Sequence, residues 1–291
     1  MKTKFIVNPI SGTNKQKNIS NVLNKYLDIK RFKYDITYTE RKLHAKEITK
    51  KAIKEKYKLI ICVGGDGTLN EITSELIGTN VAVGIIPAGS GNGIALHNGV
   101  KRNIKLAIKQ LNNSQIKKID SANVNGKTFV NVSGVGFDAH IANLFSKLKT
   151  RGFSNYIMLI LKELNYHAKE YTIEYDEEKR KLKAILISFA NASQYGNNFK
   201  ISPNASITDG KLDFVLLKNI PKWKIPFLLF KIAIGQAHKS KYIEIISVKK
   251  MIVRTKENNI HLDGEPLKIN TDLEISCINK SLHIFVPNEK K

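Results

Sequence analysis

The stretch LIICVGGDGTLNEI, residues 59–72, runs from an apolar segment into Gly64, Gly65, Asp66, Gly67 and Thr68, then into a polar, helix-compatible segment. Glycines at the carboxyl end of a buried strand let the backbone turn tightly and approach a ligand, and the N–H groups of the loop and the next helix face anionic oxygens. A carboxylate is a poor neighbour for bare phosphate unless it holds a magnesium ion or faces a proton to be removed. Asp66 therefore points to metal-assisted phosphoryl transfer. Taken alone, the segment also reads as an ordinary β-to-α turn with Asp66 near a helix N-cap.

Two further loops share the design. NPISG, 8–12, ends in Gly12 after the first predicted strand, and IIPAGSGNGIA, 85–95, brings Gly89, Gly91 and Gly93 beside Ser90 and Asn92. Each is weak evidence, because turns are rich in glycine. At successive strand ends of one sheet, the loops together describe a site for a nucleotide's triphosphate without a Walker sequence.

The elements that must position these loops follow from periodicity. Over the first 118 residues, strands (KFIVNPI, RFKYDITYTE, KLIICVGG, VAVGIIPAG) alternate with helices (NKQKNISNVLNKYL, HAKEITKKAIKEKY, TLNEITSELIG), which predicts a doubly wound α/β layer with a parallel sheet. From Lys118 the period shortens to two. KKIDSANVNGKTFVNVSGVG reads as two strands around an Asn-Gly turn, and YTIEYD, KLKAILISFAN, KLDFVLLK, MIVRTK, IHLDGEPL, LEISCI and SLHIFVP continue the pattern. This predicts a mostly antiparallel β domain with two helical interruptions, RGFSNYIMLILKELNY and PKWKIPFLLFKIAIGQAH. The second, aromatic with interspersed lysines, reads as a helix packed on the sheet or, as the alternative, lying on a membrane surface. The expected fold class is α/β plus β, with domains 1–118 and 119–291 and with the last residues free to return to the first domain.

Composition bounds the function. At 42% hydrophobic over 291 residues, the chain is globular and long enough for two cores. No apolar run spans a bilayer and MKTKFIVNPISG lacks a signal-peptide pattern, so a cytoplasmic location is expected. Cys62 and Cys277 lie in apolar segments and read as core thiols. The net charge of +23 favours nucleic acid, anionic lipid or nucleotides as partners, or reflects a lysine-rich bias spread over the surface. The aromatics fall mainly in strand and helix core patterns, which argues against nucleic acid.

FIVNPISG, VGGDGTLNEI, IPAGSGNGIA, GVGFDAHIA, DGKLDFVLL and HLDGEPL stand in the order and approximate spacing of the diacylglycerol kinase and sphingosine kinase family of soluble lipid kinases, which the chain resembles from Phe5 to about Pro266. The glycine-aspartate motif alone is shared with NAD kinases and phosphofructokinases; the six together are specific. GVGFDA also fits a loose dinucleotide pattern, but it follows antiparallel strands rather than opening a βαβ unit.

The resemblance implies an NAD kinase/diacylglycerol kinase-like fold, ATP and magnesium as cofactors, and a lipid hydroxyl as phosphate acceptor. It implies ATP contacts at Asn8, Pro9, Ile10, Ser11, Gly12, Thr39, Gly65, Asp66, Gly67, Thr68, Leu69, Asn70, Glu71 and Ser90, and substrate contacts at Asn92 and Asp138. Asp66 would position magnesium and the reacting centre. Glu265 matches the general base of bacterial diacylglycerol kinases, whereas sphingosine kinases are described with the glycine-loop aspartate in that role, so both carboxylates stand as catalytic candidates. Asp209, with carbonyls in the region of Ser206 and Lys211, matches a structural magnesium site. One departure matters: bacterial diacylglycerol kinases carry an acid where this chain has Gly93. That gives a sphingoid base, its amine facing Asp138, a slight preference over diacylglycerol. A lipid substrate implies peripheral contact with a membrane, and no nucleic acid partner is expected. A homodimer is one arrangement open to the chain. The rival readings are an NAD kinase-like enzyme and a non-catalytic protein that binds polyanions or lipid.

Overall fold

The computed structural model describes residues 1–12, 15–148 and 152–288. The chain divides into two compact units, one of Met1–Ile119 with the chain from Lys280 onward, the other of Asp120–Asn279.

In the first unit, β1 (Lys2–Val7), β2 (Lys33–Tyr38), β3 (Leu59–Gly64) and β4 (Ala82–Pro87) pair in parallel in the order β2-β1-β3-β4. The helices are α1 (Ile19–Tyr26), α2 (His44–Lys54), α3 (Asp66–Leu76), α4 (Gly93–His97) and α5 (Ile104–Leu111). Every residue of LIICVG and AVGIIP is buried, as a parallel sheet covered on both faces requires. The order places a switch point between β1 and β3. The chain leaves β1 for β2 on one side and leaves β3 for β4 on the other, so the loops at these two carboxyl ends diverge and open a crevice.

The second unit holds β5 (Ser114–Val124), which begins in the first, then β6 (Lys127–Phe129), β7 (Val132–Gly136), α6 (Phe137–Ser146), α7 (Phe153–Lys162), β8 (Lys169–Tyr175), β9 (Glu178–Ala184), β10 (Leu186–Ala190) and β11 (Leu212–Leu217). It continues through α8 (Ile225–Ala233), β12 (Ile243–Val248), β13 (Lys250–Arg254), β14 (Asn259–Leu262), β15 (Glu265–Lys268) and the start of β16 (Leu273–Pro287). An antiparallel sheet β12-β11-β10-β7-β14-β15 faces the strands β16-β13-β8-β9. Alternation along β10 sorts the layers. Ile187 and Phe189 join Phe214, Met251, Val253 and Ile275 in the core between the sheets, while Leu186 and Ala190 pack on the other face with Leu228 and Ile232 of α8. Asn125 and Gly126 have φ of 48° and 82°, the two consecutive left-handed residues of an Asn-Gly hairpin turn.

Several expectations change. KLKAILISFAN reads as one strand, yet the chain breaks at Ile185 and β9 and β10 enter different sheets. LEISCI and SLHIFVP read as two strands but form the single β16, pairing with β13 through Leu273–Ser276 and with β4 through His283–Phe285. The predicted pair of helical interruptions in the β domain omits α6, and the strand β12 and helix α5 also went unread. Asn14 of the first predicted helix, Arg151 of another and the closing EKK lie outside the described residues. Both cysteines are free and buried. Burial pushes the Cys277 thiol up to about 12 and the Cys62 thiol higher still, as suits unreactive core thiols.

Candidate active site

In the first unit, the loops that follow β1, β3 and β4 interlock. Gly12 has φ +56°, and a Cβ there would stand 2.0 Å from the Ala88 carbonyl oxygen; one on Gly89 would stand 2.5 Å from the Gly65 Cα. These glycines are therefore needed for contact between loops, a constraint added to any close approach of a ligand. Side chains complete the frame. Asn8 Nδ2 donates to Thr68 Oγ1 at 2.9 Å, and Gln16 Nε2 donates to the carbonyls of Asn8 (2.8 Å) and Ser11 (2.7 Å). Thr39 follows β2, its N–H donating to the Val7 carbonyl at 2.8 Å. Gly12→Ala combines the left-handed penalty with a backbone collision and is expected to cost about 3 kcal/mol in urea unfolding. Gly78→Ala isolates the first term: Gly78 has φ +79° with nothing within 4 Å of its Cβ, so about 1 kcal/mol is expected.

Asp66 opens α3, and its carboxylate crosses to the third loop. Oδ2 accepts from the Asn92 N–H at 2.7 Å and Oδ1 from the Gly93 N–H at 3.0 Å, at the start of α4. Asn92 sits in the left-handed region, φ +55°, while its side chain bonds both the N–H and the carbonyl of Gly89. Backbone N–H groups thus satisfy the charge that looked awkward beside phosphate. Among the other implied ATP contacts, Ile10 is largely exposed, Leu69 is buried, and Glu71 accepts from the N–H groups of Leu43 (2.9 Å) and Ala45 (3.2 Å), capping α2. Pro9, Ser11, Gly67, Asn70 and Ser90 lie in or beside the three loops, partly accessible.

Glu265 belongs to the second unit and is half-buried at the start of β15, paired through the backbone with Leu262. The turn before it is Asp263–Gly264, with φ of 50° and 88°, the Asp-Gly counterpart of the Asn-Gly hairpin. Asp263, which sequence reasoning passed over, is buried and clamps this turn: its oxygens accept from the N–H groups of Val130 (3.1 Å) and Asn131 (2.8 Å). Asp263→Asn sets an amide NH₂ against one of these buried donors. It is expected to lower stability by about 2 kcal/mol and to speed amide exchange at Val130 and Asn131, while the hairpin keeps its register.

Asp138 begins α6 and is 4% exposed. Its Oδ2 accepts from Ser188 (2.9 Å) and Tyr195 (3.2 Å), and its Oδ1 from the Ala139 N–H (2.9 Å). Burial first, and the Asp138 charge second, push the Tyr195 hydroxyl well above its usual range, so it remains a donor. His261 Nε2 is 3.2 Å from Oδ2 but too poorly aligned to form a hydrogen bond. Its Nδ1 accepts from the Gly264 N–H at 3.2 Å, which places the proton on Nε2. Asp138 and Tyr195 are polar points in the wall of a cavity of about 170 Å³, otherwise walled mainly by Ile141, Ile160, Phe199, Leu228 and Ile232. The cavity exceeds the roughly 150 Å³ that accommodates a benzene ring. Ser188 and Tyr195 carry no recognisable motif and His261 merely opens HLDGEPL; only the fold gathers the three around Asp138.

Asp209 is exposed, and its Oδ1 accepts from the Lys211 N–H at 3.1 Å while Ser206 Oγ accepts from the Thr208 N–H at 3.3 Å, an ordinary Asx-type turn. The fully buried Asp120 anchors it, accepting from the Gly210 N–H at 2.7 Å. Among the described residues, no three His, Cys, Asp or Glu side chains cluster as a metal site.

Residues 2–124 match the diacylglycerol kinase catalytic domain, and residues 131–286 match the YegS C-terminal NAD kinase beta sandwich-like domain. A diacylglycerol kinase of Bacillus subtilis strain 168 is 27% identical over 99% of this chain and 97% of its own length. Diacylglycerol kinase of Mycobacterium tuberculosis H37Rv is 26% identical, covering 84% of this chain and 81% of its own length. A solved diacylglycerol kinase structure from Bacillus anthracis Sterne shares the fold with a TM-score of 0.74 at 22% identity, covering 99% of this chain and 97% of that one.

Proposed function

The chain belongs to the diacylglycerol kinase family of lipid kinases, a catalytic domain followed by a YegS-type β-sandwich, and from that premise we propose that it transfers the γ-phosphate of ATP, with magnesium, to the hydroxyl of a membrane diacylglycerol. The observation that carries this reading is the set of three interlocked loops at the carboxyl ends of β1, β3 and β4, with the Asp66 carboxylate held between them.

The residues fit a nucleotide. Turns that a Cβ would fill leave backbone close to the crevice, and the first turn of α3 offers N–H groups to phosphate oxygens. The Asn8–Thr68 bond fixes the first loop against α3 and so orients those donors. Magnesium in kinases keeps several waters and needs one or two carboxylates besides the nucleotide's phosphates. Asp66 is the residue that would hold it, and magnesium when bound would neutralise charge on the transferring phosphoryl group. Because backbone bonds fix the Asp66 carboxylate, we assign the general base to Glu265, which takes the proton of the lipid hydroxyl.

The headgroup choice rests on Asp138. Ser188, Tyr195 and the Ala139 N–H already donate to it and share its charge, which weakens its pull on a ligand amine. That favours a neutral glycerolipid hydroxyl. Gly93 supports the second reading, a sphingoid base, because this position lacks the acid typical of bacterial diacylglycerol kinases. The apolar cavity would hold part of an acyl chain in either case.

The test is magnesium-dependent transfer of labelled phosphate from ATP to a panel of diacylglycerol, sphingosine, dihydrosphingosine, ceramide, undecaprenol and NAD. Label in phosphatidate supports the glycerolipid reading; label in a sphingoid phosphate moves the assignment to the second reading. Label in NAD alone overturns both.

A further inference from the structure

We propose that the outer face of α8, together with the preceding turn Lys222–Lys224, is the surface by which this protein docks on an anionic lipid leaflet. The two faces of α8 have different surroundings. Leu228 and Ile232 are buried and wall the cavity, whereas Phe227, Phe230 and Ile234 are 66%, 63% and 48% exposed, and Trp223 just before the helix is 68% exposed. Aromatic and aliphatic side chains of this size, set in a row and facing water, are costly unless something covers them.

Charge identifies the cover. Residues 218–243 contain six lysines and no aspartate or glutamate. Lys224 donates to Tyr242 Oη at 3.2 Å, Lys231 donates to the Lys239 carbonyl at 3.2 Å, and Lys222 donates to Asn165 Oδ1; all three partners are neutral. Lys224, Lys231, Lys239 and Lys241 ring a shallow groove that also contains Trp223 and Phe227. An apolar row within a lysine frame matches an interfacial helix, with the rings at the headgroup–acyl boundary and the ammonium groups among lipid phosphates. Among the described residues no helix is long and apolar enough to cross a membrane, so the contact is peripheral.

Position argues for a leaflet over other polyanions. A single helix carries both the wall of the cavity and the exposed row, so docking it would set a lipid store directly against the cavity's outer side. The inference rests on the lipid kinase reading for its purpose, but its test does not.

Trp223 is the chain's single tryptophan, so its fluorescence reports this surface alone. Full-length protein without ATP is mixed with phosphatidylcholine vesicles or with phosphatidylcholine–phosphatidylglycerol vesicles. The expected result is a blue shift and quenching by brominated acyl chains on the anionic vesicles, together with co-sedimentation. Phe227→Asp with Phe230→Asp is expected to weaken vesicle partition by at least about tenfold, with unchanged circular dichroism and unchanged phosphorylation of a short-chain diacylglycerol supplied without vesicles. Replacing Lys224, Lys231 and Lys239 by Gln is expected to weaken it about a hundredfold. Emission unmoved by anionic vesicles overturns the proposal. So does a shift that grows with protein concentration without lipid, the mark of a second copy, or a shift produced by oligo-dT that vesicles do not displace. Vesicle docking without phosphorylation of any lipid supports the docking surface while removing the kinase reading.

Discussion

Asp66→Asn is expected to lower the turnover of lipid phosphorylation by about 10²–10³-fold, with a smaller effect on the KM for ATP. The substitution keeps shape and removes charge. One amide oxygen can still accept from the Asn92 or the Gly93 N–H, while the NH₂ faces the other donor, so the third loop loosens. The loosening itself should cost about 1–3 kcal/mol. The two consequences separate experimentally: urea unfolding reads the clamp, and single-turnover kinetics at saturating ATP and magnesium reads the chemistry. A variant that loses stability yet keeps its turnover would reduce Asp66 to a tie between loops.

Glu265→Gln is expected to cut turnover by about 10²–10⁴-fold, the contribution of a general base. The hairpin should survive, since its register rests on backbone pairing between Leu262 and Glu265 and on the Asp263 clamp, neither of which needs a carboxylate at 265. Stability and ATP binding should change little. If Glu265→Gln retains turnover and Asp66→Asn abolishes it, the base is Asp66, the assignment described for sphingosine kinases.

The comparison of sequence with structure separates what local pattern encodes from what only the fold supplies. Period and glycine placement located β1, β3 and β4 and the loops that end them, because buried parallel strands are continuous apolar runs and their exits need turns. The Asn125–Gly126 turn was equally legible, since two consecutive left-handed residues restrict the choice of residue severely. Sheet membership was not. Nothing in KLKAILISFAN signals that the chain changes sheets at Ile185, and the single β16 was hidden by the polar NK in its middle. Helix α6 was masked by GVGFDA, which reads as the end of a strand and a loose dinucleotide pattern, although Gly136, φ +95°, precedes the first helical turn.

The site divides in the same way. Asp66 stood out through the chemistry of its glycine-rich loop and Glu265 through family resemblance, whereas the contacts that hold them in place did not. The Asn92 and Gly93 N–H groups are backbone and leave no trace in residue type, and Asp263 sits unremarked within IHLDGEPL. Asp138 was visible, but Ser188, Tyr195 and His261 reach it from distant segments, so the occupancy of its carboxylate emerged only in three dimensions. That occupancy is what turned the substrate preference from the sphingoid amine towards the glycerolipid hydroxyl.

The central claim is tested most directly by incubating the purified chain with ATP, magnesium and diacylglycerol in mixed micelles and identifying the product by mass spectrometry, beside Asp66→Asn. The account predicts phosphatidate from the wild type, a loss of about 10²–10³-fold in the variant, and no product without magnesium. Equal phosphatidate from both proteins, or none from the wild type while sphingosine or NAD is phosphorylated, would contradict it.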